Sequence, residues 1–232
     1  MRIIELGASV TASNDADARA LRMRMRESGV LLINLMSAAG SGKTTLLSRL
    51  IRDLKELRVG VMEADIASSV DAERIEALGA RAVQVHTGGM CHMDAGMTAA
   101  AVEALGTERL DLLFLENVGN LICPAEYDTG AGKSIMLLSV PEGDDKPLKY
   151  PLMFRESDAV IITKTDTAGY FDFDQERCRE GIRRLNPRAE IFPVSAKTGE
   201  GMEALERWLR EALREWRGAE AACPAKGEDA DA

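Results

Sequence analysis

Aromatic residues are scarce: five Phe, three Tyr and two Trp make up 4% of 232 residues. So few rings offer no platform on which nucleic-acid bases would stack. Basic residues are outnumbered, 29 Lys and Arg against 38 Asp and Glu, for a net charge of −9. That balance excludes nucleic-acid binding by broad phosphate neutralisation. No apolar run approaches the roughly 20 residues of a membrane span. The opening "MRIIELGASVTASNDADARA" also lacks the apolar core of a secretory signal. A cytoplasmic protein with no membrane partner is expected, its four cysteines reduced rather than paired. Histidine occurs only twice, and residues 1–29 contain neither His nor Cys.

What is present is a globular chain. An apolar content of 46% with 29% charged residues suits one substantial core. Apolar runs at 30–36, 58–63, 81–86, 110–116, 133–139, 158–164 and 189–194 read as strands. Most are nearly continuous, as strands covered on both faces of a parallel sheet must be. Segments 44–57, 71–80, 94–106, 174–185 and 201–216 space their apolar residues three and four apart, as amphipathic helices do. Such alternation predicts an α/β protein of three layers, a mainly parallel sheet flanked by helices. Residues 1–29 form an expected N-terminal extension with a short helix from Asn14 that carries Leu21 and Met25 one turn apart. The folded domain runs over 30–217, and the Ala/Gly/Asp-rich 218–232 is an expected disordered tail.

Between the first strand and the first domain helix stands "NLMSAAGSGKTTLL" (34–47). A phosphate-binding loop reads G-x-x-x-x-G-K-[ST], and Gly42, Lys43 and Thr44 match it, with Ser37 at the first glycine position. Gly40 and Gly42 let the backbone of Gly40, Ser41 and Gly42 curl so that N–H groups face phosphate oxygens, and the new helix adds its positive end at Lys43, Thr44 and Thr45. Lys43 is expected at the β- and γ-phosphates and the Thr44 hydroxyl on Mg²⁺. Further on, "ITKTD" sets Thr163, Lys164 and Asp166 at a strand end, similar to the guanine-reading N-K-x-D of GTPases with Thr for Asn. The Asp166 carboxylate can accept from both the ring N–H and the exocyclic amine of guanine, a donor pair that adenine lacks. "SAKTG" then places Ser195, Ala196 and Lys197 where a second guanine loop belongs, which favours GTP and GDP. Glu116, ending a strand, and Asp65, just past another, are the expected Mg²⁺ and catalytic acids beside Lys43. The alternative for both is a solvated strand-end carboxylate.

Three further stretches narrow the function: "TGGMCHMDA" (87–95), "LENVGNLICPAEYD" (115–128) and "LLSVPEGDDKPLKYP" (137–151). Together they resemble the HypB family, the P-loop GTPases of nickel incorporation in hydrogenase maturation. The resemblance runs from about Val30 to Trp216. The urease counterpart, UreG, carries Cys-Pro-His, whereas Cys91 and His92 are adjacent here. The resemblance implies that Cys91, His92 and Cys123 bind Ni²⁺ or Zn²⁺ at a dimer interface, with GTP favouring the homodimer. It also implies a HypA-like nickel chaperone as partner and a hydrogenase large-subunit precursor as the recipient, while the lack of an evident arginine finger or water-positioning Gln makes slow hydrolysis the expectation. Thiolate and imidazole suit a borderline-soft divalent ion independently of any family. Neighbours on a helix diverge by about 100°, so Cys91 and His92 must sit in a loop or at a helix start. Some family members carry an N-terminal cysteine motif or a His-rich stretch for nickel, and residues 1–29 have neither. Lys146 and Lys149 are candidates for phosphate or cross-dimer contacts, or are solvated loop lysines. Cys178 is expected to be a packed residue. The rival functions are a urease-type nickel GTPase, a metabolic P-loop kinase, and a metal-binding module with a vestigial nucleotide site.

Overall fold

The computed structural model describes residues 7–64 and 70–218. Asp65 and residues 219–232 of the expected tail lie outside the described residues. Seven strands form one parallel sheet: β1 (Leu31–Ser37), β2 (Val59–Glu63), β3 (Arg81–Gln84), β4 (Leu112–Gly119), β5 (Lys133–Ser139), β6 (Ala159–Thr163) and β7 (Glu190–Pro193). Their order is β3-β2-β4-β1-β5-β6-β7, and every ladder is parallel. All seven expected strands are there.

The helices are α1 (Gly7–Glu27), α2 (Lys43–Asp53), α3 (Val70–Glu76), α4 (Ala95–Leu105), α5 (Lys146–Lys149), α6 (Pro151–Arg155), α7 (Gln175–Leu185) and α8 (Met202–Gly218). Side chains alternate across a strand, so continuous apolar runs supply two faces at once. Ile135 and Leu137 of β5 enter a core that also holds Leu46 and Leu50 of α2 and Leu205 and Leu209 of α8. Met136 and Leu138 enter a second core with Phe154 of α6 and Ile182 of α7. Cys178 is buried there, as expected, and burial pushes its thiol up to about 12.

One expectation needs correction, and one stretch gains elements that the sequence left unassigned. The N-terminal helix is not short and does not start at Asn14: it has 21 residues from Gly7. The Asn14 side chain is spent on tertiary bonds rather than on a cap. Its Oδ1 accepts from Ala95 N at 2.9 Å, and its Nδ2 donates to Asp128 O at 2.9 Å. Between β5 and β6, where the sequence showed only a motif, lie α5 and α6. Each has a proline in its first turn, where no N–H is required.

The edge opposite the strand C-termini is held by Asp111, just before β4. Its carboxylate accepts from Arg58 N, Nε and Nη2 at 2.8, 2.9 and 3.0 Å, and from Arg217 Nη2 of α8 at 2.7 Å. The Arg58 and Arg217 guanidinium groups hold this carboxyl well below the usual carboxylate range. Asp111→Asn should cost about 2 kcal/mol near neutral pH, the value of hydrogen bonds to a charged group. A depressed folded pKa contributes stability present above the unfolded value, near 4, and lost as pH falls through the folded one. Chemical denaturation should therefore show the gap between wild type and variant narrowing below about pH 4. An equal gap at neutral pH and at about pH 3 would refute the ionic origin.

Candidate functional site

In an open parallel sheet, ligands sit beyond the strand C-termini where the strand order reverses. Here that point is β1, flanked by β4 and β5. After β1 the chain turns through Gly40 (φ 75°) and Gly42 (φ 99°), left-handed conformations that favour glycine. The 11-residue helix α2 starts directly at Lys43. Lys43 is buried, and its Nζ donates to Ser37 Oγ at 2.9 Å. The hydroxyl at the first glycine position thus holds the lysine in the loop. The Thr44 hydroxyl donates to Glu116 Oε1 at 3.1 Å. Gly119 ends β4 against the loop: a Cβ there would lie 2.9 Å from both N and Cα of Ala39.

Gly40, Gly42, Lys43, Thr44, Thr45, Glu116 and Lys164 line one cleft of about 400 Å³. Ala64, Arg74, Asn117 and Gly119 line it too, and the sequence had not assigned them. Ser41 is buried beneath the loop, and its carbonyl accepts from Thr163 Oγ1 at 2.7 Å. Lys164, at φ 60°, reaches Gly40 O with its Nζ at 2.7 Å. The TKxD segment is therefore tied to the phosphate loop by two bonds, one of them from the threonine that replaces asparagine. Asp166 is exposed, and its Oδ1 accepts from Ser195 Oγ at 2.7 Å. Ser195 Oγ also accepts from Thr198 N at 3.1 Å, so the two base-side loops brace one another. Ala196 and exposed Lys197 follow in the same turn. Lys149 pairs with Asp145 at 2.5 Å, and Lys146 lies 5.4 Å from the Tyr150 ring centroid.

Cys91 and His92 lie in the loop between β3 and α4, the setting that adjacent ligands require. Gly88 (φ 64°) and Gly89 (φ 92°) turn that loop, and Asp94 closes it by capping α4 through Met97 N at 2.8 Å. Cys123 opens a short 3₁₀ turn, Cys123–Ala125, beyond β4. One ligand atom from each of Cys91, His92 and Cys123 lies within 4.8 Å of the others. The two sulfurs are 2.9 Å apart and unbonded, and Cys91 Sγ is 3.8 Å from His92 Nδ1. Bonds of about 2.3 Å to sulfur and 2.0 Å to nitrogen in a tetrahedron separate ligand atoms by roughly 3.5 Å. The cluster fits a single divalent ion of zinc or nickel type, with one coordination position left over. Tyr127 stacks on the buried His92 ring at 3.9 Å and 11°. Asn120 Nδ2 contacts Cys91 O and Cys123 Sγ, each at 3.4 Å. The hydrogen bond with the Cys91 thiol holds the Cys123 thiol above its ordinary value. Exposed Met90 and Ile122 flank the two cysteines.

The model of the CobW/HypB/UreG nucleotide-binding domain matches residues 31–193. The hydrogenase maturation factor HypB of Rhizobium leguminosarum bv. viciae is 48% identical over 209 residues, covering 90% of this chain and 70% of its own length. The hydrogenase/urease maturation factor HypB of Helicobacter pylori is 41% identical over 216 residues, 91% of this chain and 89% of its own. Among solved structures, HypB from Helicobacter pylori in complex with nickel gives a TM-score of 0.83 at 42% identity, covering 88% of this chain and 96% of that one. With such identity across 90% of its length, the chain belongs to the HypB family of CobW/HypB/UreG nucleotide-binding proteins.

Proposed function

We propose that this chain is a GTP-hydrolysing metallochaperone switch that delivers nickel to a hydrogenase precursor, its GTP state coupled to dimerisation and metal binding. The observation that carries this is the short path between the two sites. Glu116, bonded to Thr44 in the nucleotide cleft, and Cys123, in the Cys/His cluster, bracket a single strand end. Lys43 offsets charge on the β- and γ-phosphates, and the N–H groups around Gly40, Ser41, Gly42 and Thr45 cradle them. Thr44, Glu116 and Asp65 are the residues that would hold Mg²⁺, which neutralises charge developing in phosphoryl transfer. Asp166 reads guanine, with Thr163, Lys164, Ser195, Ala196 and Lys197 forming the base side. Cys91, His92 and Cys123 take nickel as cargo, or zinc. The apolar collar of Met90 and Ile122 suits pairing with a second copy, which would complete the open coordination position. A HypA-like chaperone and a cytoplasmic hydrogenase precursor are the proposed partners. The name of the Helicobacter pylori relative supports urease as a second recipient.

Three variants test this. Lys43→Ala should lower GTP turnover by about 10²–10³-fold, the scale of losing one charge-stabilising group. Turnover equal to wild type would remove Lys43 from the reaction. Asp166→Asn exchanges an acceptor for a donor and should shift preference from GTP toward xanthosine triphosphate in competition binding. A wild-type protein that binds ATP as well as GTP would defeat the guanine assignment. Cys123→Ala should weaken Ni²⁺ binding by at least about 10–100-fold, the loss already seen for outer-shell partners of a metal. Unchanged affinity in a nickel titration would exclude Cys123 as a ligand.

A further inference from the structure

Within five residues the end of β4 touches both sites alternately. Glu116 meets Thr44 and Gly119 abuts Ala39, both on the nucleotide side. Asn120 meets Cys91 O and Cys123 Sγ on the metal side. Between them sits Asn117, fully buried. Its Oδ1 accepts from Met93 N at 3.2 Å and from Val118 N at 2.9 Å. Its Nδ2 donates to Asn34 Oδ1 on β1 at 3.0 Å. Met93, also buried, is the residue after His92. One carboxamide therefore joins the strand that carries Glu116, the strand that leads into the phosphate loop, and the backbone of the His92 loop.

We propose that Asn117 is a positioning residue that transmits the state of the nucleotide cleft to the metal loop, through its bond to Met93 N beside His92. This rests on the proposed coupling of nucleotide state to metal affinity. A buried amide donor or acceptor is costly to strand, so the Met93 loop follows the β4 end instead of moving independently. An apolar residue at 117 would fill the same space yet leave the two sites mechanically separate. Asn120 adds a second, exposed tie, but it reaches the ligands themselves and sits beyond the strand.

The test is Ni²⁺ titration of the full chain, followed by sulfur-to-nickel charge-transfer absorption, with GDP and with a non-hydrolysable GTP analogue. In wild type the two affinities should differ by about 5–150-fold, and GTP-analogue affinity should change by the same factor with nickel bound. In Asn117→Ala the ratio should collapse toward one while charge-transfer bands persist. A merely structural role would weaken both affinities equally and leave the ratio intact, which overturns the proposal. A wild-type ratio of one overturns the coupling itself and the relay with it. Should Asn117→Ala fail to fold, hydrogen exchange on metal-free wild type decides. Replacing GDP by the analogue should alter protection in 90–97 together with 116–122, and a change confined to 116–122 overturns the relay.

Discussion

The parallel pairing of β1 with β4 is the constraint from which the rest of the site follows. Leu35 is in register with Glu116 and Ser37 with Gly119, with an irregularity between the two pairs. That register sets the phosphate loop directly over the β4 end, so that Thr44 reaches Glu116 across 72 residues of sequence. It also demands glycine at 119, because the loop backbone at Ala39 passes where a side chain would stand. Packing enforces the register. β1 is buried along its entire length, and a slip of one residue would exchange its two faces.

Charge is distributed unevenly around this centre. The chain carries a net −9, yet Lys43, Arg74 and Lys164 line the nucleotide cleft. A polyanionic ligand is repelled by the chain at large and attracted by this cleft, where cations gather over a helix N-terminus. The loop is also braced from within the chain. Ser37 holds Lys43, Thr163 holds Ser41, and Lys164 holds Gly40. Each bond reduces the ordering that binding would otherwise require.

Much of this was legible in the sequence, for local reasons. The strands showed as unbroken apolar runs because two cores claim alternate residues, as Met136 and Leu137 do. The phosphate loop, TKxD and SAK showed because backbone geometry demands particular residues at fixed spacings. The start of α1 did not show, because Asn14 resembles a cap and its true partners, Ala95 and Asp128, are 81 and 114 residues away. Helices α5 and α6 are four and five residues long, too short for any periodicity to emerge. Asn117 stood in plain view within ENVGN, but its partners at 34 and 93 are supplied only by the fold.

The two proposed cation sites would have to be kept from exchanging ions, and donor chemistry can do this without a barrier. Thr44 and Glu116 offer a hydroxyl and a carboxylate, hard oxygens suited to Mg²⁺. Cys91, His92 and Cys123 offer sulfur and nitrogen, which bind a hard ion poorly and a borderline-soft one well. The strand end between them carries side-chain amides, Asn117 and Asn120, and no further thiol or carboxylate. An amide donates to backbone and sulfur without competing strongly for either ion. On the proposed coupling, residues 117–122 would join the sites mechanically while leaving them chemically distinct. A connection made of carboxylates would have merged the two sites, and one made of apolar side chains would have left the His92 loop with a stranded buried N–H.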